Sequence, residues 1–238
     1  MNSFNTYLFR LTVNLGNAKM KSLITLFIAF AFMLGFTSCA QKSQKKPSEN
    51  IANKYLSKYS KATFAASCFW HEEALFESVK GVAEAISGYA GGTTKNPTYE
   101  SVETGNTGHA ESVMVYYDPS VISYSTLLKV YFTGQDPTQV NGQGPDEGTQ
   151  YRSIAFYTND AEKKQIEDYI KQMSASGKYN APIAVQVMPF TGFWPAEAYH
   201  QDYIAKNPDG AYVQHVSIPE IQHFQKLYPE LIKPDHRF

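Results

Sequence analysis

Cysteine is nearly absent: the 238 residues contain two, Cys39 and Cys68. Two thiols exclude a disulfide-dense secreted scaffold and a four-cysteine zinc site. The six histidines are scattered without zinc-type spacing, so no metal site is expected. An excess of charge is missing too. Lys and Arg number 21 against 22 Asp and Glu, a net charge of −1, which gives nucleic-acid binding no electrostatic support. There is no internal repeat. Charged residues are 18% and hydrophobic ones 43%, a balance that excludes wholesale disorder and a coiled coil. Aromatics are plentiful: 17 Tyr and 15 Phe can fill a core, in one domain or at most two at this length.

Residues 23–36, LITLFIAFAFMLGF, are apolar except for Thr25, with Lys19 and Lys21 on the N-terminal side. This fits a secretory signal and is short for a membrane span. Met20 offers an alternative translation start. The run ends in Gly35-Phe36-Thr37-Ser38-Cys39, which is similar to a bacterial lipobox with Phe36 where leucine is usual. Residues 1–38 are therefore expected to be a signal peptide and Cys39 a lipid anchor. A plain cleavable signal or an anchor helix is the alternative. Lipidation at Cys39 would place the protein in the cell envelope, membrane-anchored and facing the periplasm or extracytoplasmic space. Loss of residues 1–38 removes Arg10, Lys19 and Lys21 and no acid, leaving 18 basic and 22 acidic side chains. Residues 39–61 offer little to bury and read as a flexible tether. The folded domain is expected over 62–238.

Within that domain strand and helix signals alternate. Strands are expected at 62–66, 82–87, 109–117, 151–158 and 183–190. Helices are expected at 72–80, 123–132, from Asn159 to about 176, and from Pro195 to about 206. The tail from Asn207, with Pro208, Pro219, Pro229 and Pro234, reads as irregular wrapping. Loops at 88–105 and 134–150 are long for a compact domain, and such loops usually carry function. This order implies a single α+β domain around one mixed sheet.

Cys68 lies at a strand-to-helix junction in Ala66-Ser67-Cys68-Phe69-Trp70. Unpaired N–H groups and the positive dipole end at a helix start stabilise a thiolate, the nucleophilic form of cysteine. A buried, inert cysteine is the bland alternative, and Phe69 and Trp70 could equally be core aromatics. Glu111 shares a strand face with Val113 and Val115. A carboxyl on that face is desolvated, stays protonated to higher pH, and can donate to a developing oxyanion; a strand-end position reaching solvent is the alternative. Tyr99, Tyr151 and Asp146 lie in or beside the two long loops.

The chain resembles the A-type peptide methionine sulfoxide reductases from about Thr63 to Gly210. The carriers are Cys68-Phe69-Trp70, Gly88-Tyr89-Ala90-Gly91-Gly92, Asn96-Pro97-Thr98-Tyr99, Thr107-Gly108-His109-Ala110-Glu111, Tyr117-Asp118-Pro119, Gly148-Thr149-Gln150-Tyr151-Arg152-Ser153 and Tyr199-His200-Gln201-Asp202-Tyr203. The resemblance implies that Cys68 attacks the sulfoxide sulfur and Glu111 protonates the oxygen. Tyr99 and Tyr151 would hydrogen-bond that oxygen, and Asp146 would support the site. Phe69 and Trp70 would wall the pocket for the substrate's methyl group. The expected reaction reduces methionine S-sulfoxide, in proteins, peptides or free, and leaves a sulfenic acid on Cys68. No cofactor is expected to be bound. An external thiol (thioredoxin, a glutaredoxin-like protein or a small thiol) would return the sulfenic acid to thiol. The expected partners are oxidised proteins or peptides, that reductant, and the membrane through Cys39, with the protein itself a monomer. The fold is expected to be a two-layer sandwich around one mixed sheet, a ferredoxin-like plait.

Two departures from the family pattern stand out. Ser67 replaces the glycine that often precedes the cysteine, and its hydroxyl is placed to hydrogen-bond the thiolate. No resolving cysteine occurs in the C-terminal stretch Asn207 to Val213. Rival classes remain testable. A cysteine hydrolase would need His71, His109 or His200 beside Cys68. A non-enzymatic lipoprotein adaptor would explain the anchor but not Cys68 with Glu111.

Overall fold

The computed structural model describes residues 55–236, so the signal-like run, Cys39 and most of the expected tether lie outside the described residues. Strand β1 (Ser60–Ala65) leads through Cys68 into helix α1 (Phe69–Glu77). Strand β2 (Val82–Ala90), the short helix α2 (Tyr99–Glu103) and strand β3 (Ala110–Tyr117) follow. Helix α3 (Tyr124–Thr133) precedes the two-residue strands β4 (Gly142–Gln143) and β5 (Asp146–Glu147), which pair with each other. A 3-10 turn (Thr149–Tyr151) leads to β6 (Ile154–Tyr157), helix α4 (Asp160–Ala175), β7 (Gln186–Pro189) and β8 (Phe193–Pro195). Helix α5 (Tyr203–Lys206), a π-helical turn (Val213–Ser217), helix α6 (Ile218–Leu227) and a 3-10 turn (Pro229–Leu231) complete the order.

Six strands form one mixed sheet in the order β7-β6-β1-β3-β2-β8, with only the β6–β7 pair parallel. The architecture is α+β. The alternation of side chains along β1 and β3 sends Phe64 and Val113 to the face that meets the helices. There they join Leu75 and Phe76 of α1, Leu128 and Tyr131 of α3, Ile166 of α4 and Phe224 of α6 in one buried cluster. Phe64 is its hub: fully buried, it stacks on Phe76 at 5.3 Å and on Tyr131 at 4.8 Å between ring centroids. Burial of side chains this size contributes about 1.5–3 kcal/mol each. Ala65, Ala90, Ala110, Ile154 and Phe156 form a smaller cluster of their own.

Several boundaries differ from the sequence expectations for identifiable reasons. Strand β2 runs through Gly88 instead of stopping before it. A side chain at Gly88 would collide with the Phe193 ring and the Trp194 carbonyl, so the missing Cβ lets edge strand β8 close on β2. Pro195 ends β8 and does not start a helix. It lies on a sheet edge, where a residue without an N–H is tolerated. The helix expected from there is only the single turn α5. The tail is helical, not irregular: Pro219 sits in the first turn of α6, where its missing N–H leaves no bond unmade. Asn159 does cap α4, its side chain accepting the Glu162 N–H at 2.9 Å.

Candidate active site

The chain enters α1 through an unusual backbone. Ser67 has φ +56°, in the left-handed region that favours glycine, and Cys68 then takes the N-cap position. The Cys68 carbonyl starts the helix by accepting the His71 N–H at 3.1 Å. Its thiol is buried at the helix start, where the Trp70 and His71 N–H groups favour the thiolate. Those donors are outweighed. Burial, then the charges on Glu111 and Asp146, hold the Cys68 thiol well above its ordinary range. The free site therefore stores a thiol rather than a thiolate.

Glu111 lies on β3, opposite Tyr89 of β2, and is 2% exposed. Its Oε2 accepts the Phe69 N–H at 2.9 Å, which brings the carboxyl to the first residue of α1. Burial pushes its protonation far above the usual carboxylate range. The Phe69 N–H pulls it back only in part, while Glu103 and Asp146 add to the rise. The carboxyl beside the thiol therefore keeps its proton well above the usual carboxylate range.

The two phenols come from the two long loops. Tyr99 opens α2, which Thr98 caps by a reciprocal box with Ser101, and its ring lies 6.5 Å from Phe69 and 4.5 Å from His200. Tyr151 ends the 3-10 turn and donates to Glu103 Oε2 at 3.0 Å. Burial raises both phenols, so both remain donors. Asp146, on β5, accepts the Ser67 hydroxyl at 2.9 Å and the Tyr212 hydroxyl at 2.6 Å through one oxygen. The Ser67 hydroxyl thus turns to Asp146 instead of to the Cys68 sulfur.

Phe69 is buried against Tyr89, Tyr99 and His200. Trp70 is half-buried; it stacks on Tyr203 at 3.6 Å and donates from Nε1 to His200 Nδ1 at 3.0 Å. The structure therefore brings together Cys68, Glu111, Tyr99, Tyr151, Asp146, Phe69 and Trp70. Cys39 lies outside the described residues. Among those residues, none of the three candidate histidines pairs with Cys68. His71 Nε2 is set on the Gly134 carbonyl, His109 on Gly92 and Thr94, and His200 on Trp70. The hydrolase alternative loses its base.

Three neighbours of the site escaped the sequence reading. Glu103 follows Tyr99 by four residues on α2, the spacing that puts two side chains on one helix face, and that signal was available. Tyr212 gave none, because its segment read as irregular. Tyr203 lies within a quoted motif but had no role of its own. A cavity of about 690 Å³ opens beside Ser67, yet Gln135, Gln143, Glu220 and His223 line it and Cys68 does not. Without the Cys68 thiol in its wall it is not the reaction site. The carboxylates of Glu73, Glu77 and Asp202 lie within 4.8 Å of one another. Those of Glu73 are already occupied by the N–H groups of Ser87 and Asp202 and the Ser87 hydroxyl.

With that geometry in place, comparison with known proteins is specific. A family model described as peptide methionine sulfoxide reductase matches residues 60–231. The peptide methionine sulfoxide reductase MsrA 2 of Mesorhizobium japonicum is 46% identical over 171 residues, 71% of this chain and 88% of that protein. MsrA of Thermus thermophilus is 43% identical over 173 residues, 73% of this chain and 97% of its own length. The reduced form of Mxr1 from Saccharomyces cerevisiae superposes with a TM-score of 0.60 at 36% identity, covering 63% of this chain and 87% of that one. Methionine sulfoxide reductase A of Corynebacterium diphtheriae gives 0.57 at 34% identity, over 63% and 76% of the two chains.

Proposed function

The chain belongs to the peptide methionine sulfoxide reductases of the A type, and on that premise we propose how its own residues divide the reaction. The enzyme reduces methionine S-sulfoxide to methionine and so repairs oxidised proteins. One observation carries the division of roles: Glu111, a buried protonated acid, is pinned at 2.9 Å to the residue that follows the buried thiol of Cys68.

Sulfoxide oxygen is a strong acceptor, and Glu111 and Tyr99 can donate to it, joined by Tyr151 when its hydroxyl turns from Glu103 Oε2 to the substrate. The S-methyl needs an apolar wall, which Phe69 and Trp70 supply. A pocket with one polar and one apolar wall fits only one arrangement around a pyramidal sulfur, which accounts for epimer choice. The Cys68 sulfur attacks the substrate sulfur as Glu111 gives its proton to the oxygen. The substrate S–O bond breaks, a Cys68 S–O bond forms, and two electrons pass from Cys68 to the substrate. Asp146, held by Ser67 and Tyr212, fixes the loop that faces the thiol.

The sequence contains Cys39 and Cys68 and no further cysteine. If Cys39 carries lipid, the Cys68 sulfenic acid has no internal thiol to meet. An external thiol attacks it, and a second thiol resolves the mixed disulfide. Thioredoxin, a glutaredoxin-like protein or a small thiol has that chemistry. The lipidated Cys39, with the apolar run before it and the tether after it, makes the protein a membrane-anchored lipoprotein of the cell envelope. Among the described residues no helix is long and apolar enough to cross a membrane, so the anchor reading rests on the N-terminal sequence. We also read the fold as a ferredoxin-like plait with added edge strands. The order β6-β1-β3-β2 and the placement of α1 and α3 between strands support that reading.

The deciding experiment is a reductase assay on each epimer of a dabsylated methionine sulfoxide, with dithiothreitol as reductant. Wild type is expected to consume the S epimer only, and Cys68→Ser neither, because an alcohol is a far weaker nucleophile than a thiolate. Turnover by a folded Cys68→Ser variant would remove Cys68 from the chemistry.

A further inference from the structure

Glu103 and Tyr99 stand four residues apart on α2, so one helix face presents both to the site. The two oxygens of Glu103 meet different fates. Oε2 accepts the Tyr151 hydroxyl at 3.0 Å. Oε1 is buried with no N–H or hydroxyl to satisfy it. Its carboxyl lies beside that of Glu111, within reach of a carboxyl–carboxyl hydrogen bond. Such a bond requires a proton between the two carboxyls, and a proton on Glu111 gives Oε1 its missing donor. The two acids also differ in access to water. Glu111 is 2% exposed, whereas Glu103 is half-buried.

We propose that Glu103 is a positioning residue for the reaction: set between Tyr151 and Glu111, it holds the transferable proton on Glu111 and returns one from solvent after each turnover. The inference rests on the reading of Glu111 as the acid. The proton count requires such a route. Glu111 gives its proton to the sulfoxide oxygen, which leaves on Cys68 as the sulfenic hydroxyl. The thiol proton of Cys68 departs to solvent, and Glu111 must regain one. Glu103 lies beside the buried acid and is itself the less buried of the two. Its own charge makes an ionised Glu111 beside it costly, which keeps the acid loaded.

The groups that act on Glu111 are all acidic or neutral. Cys68 comes from the start of α1, Tyr89 from β2, Tyr99 and Glu103 from α2, Asp146 from β5 and Tyr151 from the 3-10 turn. Glu103 is thus a specific source of the charge that holds the proton, with Asp146 as the other carboxylate.

The test is the pH profile of kcat/KM for Glu103→Gln in the full chain. Glutamine keeps an oxygen for the Tyr151 hydroxyl but lacks the charge. The alkaline limb, where Glu111 loses its proton, is expected to move down by about one pH unit, with about tenfold loss on that limb and less than about twofold at pH 6. In a Glu111→Gln background, Glu103→Gln is expected to add less than about twofold, because its target is gone. Equal loss at every pH, or an unmoved limb, would overturn the inference. If Glu111→Gln itself turns over like wild type, the acid role fails instead; a slow Glu111→Gln with an unmoved Glu103→Gln limb sinks only the proposal about Glu103.

Discussion

Glu111 and Glu73 are chemically identical, and each residue is 2% exposed; Glu111 lies on β3 and Glu73 on α1 itself. Glu111 accepts one backbone N–H, from Phe69. Glu73 accepts the N–H groups of Ser87 and Asp202 and the Ser87 hydroxyl, which in turn reaches the Phe69 carbonyl. Burial raises both, Glu111 the further. Donors widen the difference. Three donors offset much of the desolvation at Glu73 and tie α1 to β2 and to the turn before α5. One donor leaves Glu111 with a proton that it holds far above the usual carboxylate range and can give away. A buried acid is left with a proton to give where burial is deep and hydrogen bonds are few.

The largest effect should separate these two acids. Glu111→Gln is expected to slow turnover of the S sulfoxide by about 10²–10⁴-fold with the melting temperature little changed, since the amide keeps an acceptor for Phe69. Glu73→Gln should do the opposite. It loses one acceptor among buried donors, which costs about 1–3 kcal/mol, while kcat stays within about threefold. Single-turnover rates and thermal melts on both variants check this. Comparable rate losses in the two would erase the distinction.

The same contrast shows what the sequence could reveal. Cys68, Glu111, Tyr99 and Asp146 stand in short motifs whose residue types suit sulfoxide chemistry, and the fold brings them together from α1, β3, α2 and β5. Clean alternation marked β3, and Asn159 marked the start of α4. The misreadings share a cause. Proline and glycine were read as local breakers, whereas Gly88, Pro195 and Pro219 are placed by long-range packing or by positions that need no N–H. Misreading Pro219 hid the helical tail, and with it Tyr212. Glu103 went unnoticed because its meaning depends on Tyr151, 48 residues away. The three donors of Glu73 were invisible for the same reason. The N-terminal address lies outside the described residues and remains a sequence argument.

A smaller effect tests the electrostatics behind Glu73. Glu77 is pushed up to about 8 by burial and then by the charges on Glu73, Glu84 and Asp202, with the Ala85 N–H pulling it back. In the unfolded chain it releases its proton near 4.5. Between those values the unfolded state binds fewer protons, so stability falls as pH rises from about 4.5 through 8. Glu77→Gln should remove that loss. Allowing for its partial exposure, the variant should gain about 1 kcal/mol, or about 2–4 °C in Tm, at pH 8.5. Near pH 4.5 it should gain nothing. A Tm difference independent of pH would show that the charges behind Glu73 do not set Glu77.

The smallest effect lies between the two acids, at the bend before Cys68. Ser67 holds φ +56°, which costs a residue with a Cβ about 1 kcal/mol and glycine much less. Its hydroxyl recovers part of that cost by donating to Asp146 at 2.9 Å. Ser67→Gly removes the strain and the hydrogen bond together, so stability should change by less than about 1 kcal/mol. Tyr212 still donates to Asp146, so kcat should fall by less than about tenfold. Ser67→Ala removes the hydrogen bond and keeps the strain. It should therefore be less stable than Ser67→Gly by about 1 kcal/mol, with Asp146 left in the same state in both variants. Chemical denaturation of the pair measures that gap directly. Equal stability, or Ala above Gly, would mean that the bend at Ser67 carries no strain, and that serine stands before Cys68 for its hydrogen bond to Asp146 alone.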